Sequence, residues 1–178
     1  MIPKTTAALS AGVAILASAL VGVDAPRAGT PGCIPSGTPG NDVIIGTAGD
    51  DYLCGKGGDD IIRGLGGNDL ILGGAGADRI EGGGGDDRVK AGGGSDRAEG
   101  GDGNDILKGG SGRDVLLGQG AGDRLYGSGG RDRLGGGGAR DVFYARDDVR
   151  DRLAGGSGRD CAYADRGLDV TRSIHEYL

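Results

Sequence analysis

One nine-residue phrase, Gly-Gly-x-Gly-x-Asp-x-apolar-x, recurs twelve times without a gap from Gly37 to Tyr144. After one extra residue, Ala145, it recurs twice more from Arg146 to Tyr163. A fixed period this short makes neighbouring units stack on one another rather than collapse around a single centre. The sixth position is Asp in all fourteen units: Asp42, Asp51, Asp60, Asp69, Asp78, Asp87, Asp96, Asp105, Asp114, Asp123, Asp132, Asp141, Asp151 and Asp160. The eighth is Ile44, Leu53, Ile62, Ile71, Ile80, Val89, Ala98, Leu107, Leu116, Leu125, Leu134, Phe143, Leu153 and Ala162, so twelve of fourteen are large and apolar. Of the 178 residues 44 are Gly, and 37 of those fall in the first four positions of a unit. Without a phase that content reads as disorder, whereas in phase it marks turns. One Phe, five Tyr and no Trp exclude an aromatic-cored globular domain, and five Pro are too few for collagen.

These units resemble the hemolysin-type calcium-binding repeats of the RTX (repeats-in-toxin) family over residues 37–163, about seven-tenths of the chain. The resemblance implies an all-β fold, a right-handed parallel β-roll (a β-helix solenoid) of about fourteen nonapeptide units with short terminal caps. In such a roll six residues of each unit turn and three form a short strand. Two units complete a coil, and calcium sits between turns stacked on the same edge. Position 8 then points inward while positions 7 and 9 face solvent. The domain reading is a signal peptide at 1–25, an N-terminal cap or linker at 26–36, the roll at 37–163 and a C-terminal cap at 164–178, where the phase is lost.

Stacking brings the sixth-position carboxylates into two columns, about 5 Å from one to the next. Like charges at that spacing repel by roughly 3.5 kcal/mol at an effective dielectric of 20. Calcium, which takes six to eight oxygen ligands, neutralises them without Cys or His, and the fourteen Asp are its expected ligands together with turn carbonyls. The alternative is that they only cap turns. If a site needs two neighbouring same-edge turns that keep Gly at position 4, then Ala121, Ala139 and Val149 interrupt the series. About eight ions remain, concentrated toward the N-terminal end. Fourteen inward side chains make a thin core, so the calcium-free chain is expected to be largely disordered and to fold on binding.

The N-terminal 25 residues run from Lys4 through an apolar, small-residue stretch to Val23, the pattern of a secretory signal peptide, with cleavage after Ala19 or Ala25. The expected location is extracellular, with no membrane span in the mature form. Three cysteines allow one disulfide. On the implied coil, Cys54 and Cys161 lie six coils apart, beyond disulfide reach, so Cys33 with Cys54 is the plausible pair and Cys161 is free.

Arg is concentrated in the second half, at Arg113, Arg124, Arg131, Arg133, Arg140, Arg146, Arg150, Arg152 and Arg159. Eight calcium ions would turn the formal charge of −6 into about +10, so anionic cell-surface or extracellular polymers are candidate partners of the loaded form, against the plainer reading of a solvated face. Tyr126, Tyr144 and Tyr163 recur at position 9 of alternate units and form a row, for sheet stabilisation or for glycan stacking. No catalytic site or small-molecule substrate is expected: His175 is the sole His, and the chain ends before an HExxH motif could be completed. Two tasks fit, a calcium-dependent structural or adhesive module and an accessory or remnant module of an exported enzyme or toxin system.

Overall fold

The computed structural model describes residues 14–15, 33, 36–165 and 167–178. The expected signal peptide and the 26–36 linker therefore lie almost wholly outside the described residues. The rest is a two-sheet parallel β-solenoid. One sheet stacks β1 (Ala14–Ile15), β2 (Asp42–Ile45), β4 (Ile61–Gly66), β6 (Arg79–Gly84), β8 (Arg97–Asp102), β10 (Val115–Gln119), β12 (Arg133–Gly137), β14 (Arg152–Gly156) and β16 (Val170–Arg172) in that order. The other stacks β3 (Tyr52–Gly57), β5 (Leu70–Ala75), β7 (Arg88–Gly94), β9 (Ile106–Gly112), β11 (Arg124–Gly129), β13 (Val142–Ala145), β15 (Cys161–Ala164) and β17 (Glu176–Tyr177). Successive strands alternate between the sheets, and register steps by 18 residues, as in Ile62 opposite Ile80 and Leu107 opposite Leu125.

The eighth-position residues form the core: Ile44, Leu53, Ile62, Ile71, Leu107, Leu116, Leu125 and Phe143 are each fully buried. Two details depart from the sequence reading. Ladders continue past the ninth position into the turn, so most interior strands have five to seven residues instead of three. Alternation then makes the first position of the next unit inward-facing as well, and Ala91, Ala145 and Ala164, which occupy it, join the core. Ala145 stands opposite Ala164 in the β13–β15 ladder, which places Ala145, not Arg146, at the first position of the thirteenth unit. The extra residue thus lengthens the turn at 146–150.

Nor does the phase end at Tyr163. Residues 164–172 make a fifteenth unit whose strand β16 pairs with β14, with Val170 opposite Arg152. Leu168 and Val170 are 41% and 52% exposed, because they hold the fifth and seventh positions of that unit. Ile174 packs against the core beyond it. At the other end, Cys33 and Cys54 form the expected disulfide with Cα atoms 5.6 Å apart, and Gly37 N–H donates to Cys54 O at 2.7 Å. Cys161 is a free, buried thiol, flanked by the Arg140 guanidinium at 3.4 Å and the Glu176 carboxylate at 3.8 Å. No helix among the described residues is long and apolar enough to cross a membrane.

Candidate metal centre

Each turn has to reverse the chain in six residues while leaving room for the turns stacked above and below it. In units three to twelve and fourteen the second and fourth positions take the left-handed φ region, which Gly enters at little cost. Gly112 shows why the fourth is also tight: a Cβ there would collide with the carbonyl oxygen of Gly94 in the preceding coil. Ala121 and Ala139 nevertheless hold φ of 60° and 67°, and in the lengthened turn Asp148, not Val149, does so at 62°. The turn geometry therefore survives the loss of Gly at these positions.

All fourteen expected Asp fall into two columns. Asp42, Asp60, Asp78, Asp96, Asp114, Asp132 and Asp151 precede the strands of one sheet, and Asp51, Asp69, Asp87, Asp105, Asp123, Asp141 and Asp160 those of the other. Each backbone N–H of this series donates to Oδ1 of the next Asp in its column at 2.8 or 2.9 Å, from Asp42 N–H to Asp60 through Asp132 N–H to Asp151. A fifteenth carboxylate extends the first column, since Asp151 N–H donates to Asp169 Oδ1 at 2.9 Å. Sequence reasoning missed Asp169 because its unit opens Ala164-Asp165-Arg166 in place of glycines. Its spacing of 18 from Asp151 and Gly167 at the fourth position were the available signal. The second column ends on His175, whose Nδ1 accepts from Asp160 N–H at 3.5 Å.

The columns use one carboxylate oxygen and leave the other. Except in Asp51, one Oδ of every expected Asp is buried without a hydrogen-bond partner. Burying a carboxylate oxygen this way costs several kcal/mol unless a proton or cation meets it. Beside each free oxygen stands another. At Gly55, Gly64, Gly82, Gly100, Gly118 and Gly136 the space of a Cβ is claimed both by Oδ2 of the Asp five residues on and by the first-position carbonyl oxygen of the next coil. Gly at the first position thus lets a carboxylate oxygen and a carbonyl oxygen approach the backbone closely.

Burial pushes these carboxylates up. The backbone hydrogen bond opposes the shift and, for most of them, neighbouring Asp charges in the column add to it. Asp69, Asp78, Asp87, Asp105, Asp114, Asp132 and Asp141 rise to about 6, and Asp123 and Asp151 to about 7. Asp60 and Asp96 are raised for the same leading reason. Among the described residues no three His, Cys, Asp or Glu side chains gather in metal-binding geometry, so an ion here must complete its shell with main-chain oxygens. That donor set, all hard oxygen and rich in carbonyls, fits calcium.

Elsewhere, Tyr126, Tyr144 and Tyr163 stack with centroids 4.3 and 5.0 Å apart, and the Arg146 guanidinium lies 5.7 Å from the Tyr163 centroid. Their faces cover one another, so the row stabilises its sheet and leaves mainly edges and hydroxyls for any ligand.

A parallel solenoid with carboxylate-lined glycine turns on both edges defines the class of calcium-type β-rolls. The model of the RTX calcium-binding nonapeptide repeat matches segments that together run from residue 36 to 170, and the chain belongs to that family. No curated protein matches it. The family binds calcium, and the match extends through Asp169, in agreement with the fifteenth unit.

Proposed function

We propose that the protein is a secreted structural or adhesive module that folds when calcium binds, holding about eight ions through Asp42 to Asp160 and turn carbonyls, without a catalytic site. The observation that carries this reading is the row of buried, unpartnered carboxylate oxygens, each column spaced by the coil repeat. Metal-free, those oxygens oppose the fold, and loaded, they hold neighbouring coils together, so ion binding adds directly to folding. Export is supported by the pattern of residues 1–25 and by a disulfide, which persists in oxidising compartments. His175 stands at a turn position that elsewhere carries Asp, which supports a structural role for it. Circular dichroism tests the reading. Calcium is expected to produce a β signal that excess chelator abolishes, and an equal signal in both conditions would refute it.

Adhesion rests on the second half. Arg113, Arg131, Arg133, Arg150, Arg152 and Arg159 are exposed, whereas the ion pairs of the described residues, Arg63 with Glu81 and Arg97 with Glu99, lie in the first half. Loaded with calcium, this half carries net positive charge toward anionic polymers. Retention on heparin or polyphosphate resin should appear with calcium and vanish with chelator.

A further inference from the structure

Two rows of arginine run along one side of the C-terminal half. Arg113, Arg131 and Arg150 hold the fifth position of units nine, eleven and thirteen and so stack along one edge, at the coil spacing of about 4.8 Å. Arg133 and Arg152 hold the seventh position in β12 and β14 and stand directly opposite each other in the ladder. All five are exposed. Like charges facing one another destabilise a sheet unless something of opposite sign meets them.

The first half of the same sheet shows one remedy. Arg79 also stands opposite Arg97, but Glu81 stands opposite Glu99 two residues on, and Arg97 pairs with Glu99 at 2.8 Å. In β12 and β14 those ninth positions are Gly135 and Ala154, so the acids are gone and the arginines remain. Among the described residues Arg113, Arg131, Arg133 and Arg152 have no ion pair, and Arg150 donates to Leu168 O at 3.2 Å. The carboxylates beside them in sequence, Asp114, Asp132 and Asp151, are buried in the column and would be met by calcium in the loaded roll. The lengthened turn adds Asp147 and Asp148 next to Arg150, so the barest stretch is formed by the other four arginines.

We propose that this double row is a docking surface for a linear polyphosphate chain lying along the stack. The guanidinium fork donates paired hydrogen bonds to phosphate oxygens, and a chain with a charge on every phosphate can meet the arginine of each coil it crosses. What the face lacks selects the polymer. The bases of a nucleic acid and the rings of a glycan call for aromatic platforms, but Tyr126, Tyr144 and Tyr163 lie on the other sheet, in β11, β13 and β15. A chain of bare phosphates needs only the cations. The inference rests on the calcium-driven, adhesive reading above and narrows its anionic polymers to one class and one face.

The test is binding of the full chain to fluorescently labelled polyphosphate, with free calcium in excess and circular dichroism to verify the folded roll. Wild type is compared with Arg133→Gln/Arg152→Gln and with Arg88→Gln/Arg124→Gln, which removes the same charge from exposed positions on the other sheet. The first variant should bind roughly ten-fold more weakly, with a log–log salt slope shallower by about 1.4, and the second should change little. Arg113→Gln/Arg131→Gln should repeat the loss from the edge row. Without polymer, Arg133→Gln/Arg152→Gln should melt at a higher temperature than wild type, and a lower one would mean that these arginines already have partners within the roll. Equal loss in the two sheets' variants would show diffuse attraction and overturn the row while leaving adhesion intact. Heparin or single-stranded DNA bound as tightly as polyphosphate would overturn the choice of polymer. A folded wild type that binds no polyphosphate would overturn the docking surface, and a wild type that fails to fold in calcium would overturn the reading of the whole roll.

Discussion

In the first eight units the fifth turn position is Asn or Asp at 41, 50, 59, 68, 86 and 104, whereas in the later units it is Arg at 113, 131, 140 and 159. In the first group Oδ1 accepts the N–H of the fifth position in the next coil, which gives one run from Asn41 through Asp59 to Ala77 and another from Asp50 through Asn68, Asp86 and Asn104 to Gly122, at 2.7 to 3.3 Å. This ladder points the opposite way to that of the sixth position, so N-terminal turns are tied in both directions. Beyond Ala77 on one edge and Gly122 on the other the second ladder stops, and most later turns carry Arg at that position instead. The contrast shows that the sixth and eighth positions suffice to define the coil, which leaves the fifth free for an added tie or for surface chemistry. It also implies that the C-terminal turns depend more heavily on the bound ion.

The largest effect expected from one substitution is at mid-column. Asp105 faces a neighbour on both sides, Asp87 and Asp123, whereas Asp169 is the last carboxylate of its column. At calcium about 100-fold above the dissociation constant, each lost site costs about 2.7 kcal/mol. Asp105→Asn should therefore cost up to about 5 kcal/mol in denaturant unfolding, and Asp169→Asn about half of that. In excess chelator, where the wild type is expected to lose its β signal, Asp105→Asn should keep more of that signal, because a buried charge is then removed. A variant that costs nothing in calcium would mean that Asp105 holds no ion.

Next comes pH. The folded carboxylates sit near 6 to 7, above their ordinary value of 3.8. Between roughly pH 4 and 7 the folded metal-free chain therefore binds more protons than the unfolded one. Its stability must fall as pH rises through that window and must recover on acidification. In chelator, circular dichroism should show more β structure at pH 5 than at pH 7.5, and the reverse order would contradict the burial of these oxygens. Calcium affinity should move the other way, weakening as protons compete.

Smaller effects separate the halves. Ala139→Gly relieves a left-handed residue in the C-terminal half and should stabilise by about 1 kcal/mol. Asn68→Ala removes one bond of the second ladder and should cost about as much. Thermal unfolding in calcium checks both.

The sixth and eighth positions were legible because period alone dictates which residues align, and the Cys33–Cys54 pairing, with Cys161 free, followed from the implied coil. What escaped has physical causes. Position 1 looked like part of a turn because Gly there shows no apolar signal, and only Ala91, Ala145 and Ala164 reveal that it faces the core. The extra residue was placed at Ala145 because the Gly-poor turn that follows gives no phase of its own, and the buried Ala145 methyl, opposite Ala164, moves it into that turn. The fifteenth unit was hidden because Thr171 holds the eighth position in place of an apolar residue. The second ladder was illegible because an Asn or Asp in a loop has many local partners, and only the stack selects the one 18 residues away.

The central claim is that calcium on the free carboxylate oxygens holds the coils together. Amide hydrogen exchange tests it most directly, read at the Asp N–H groups of both columns and at the eighth-position residues such as Ile71, Leu107 and Leu125. The account predicts strong protection of these amides in calcium and loss of protection in excess chelator at pH 7.5. Equal protection in the two conditions would show a roll that stands without the ion, and would contradict the account.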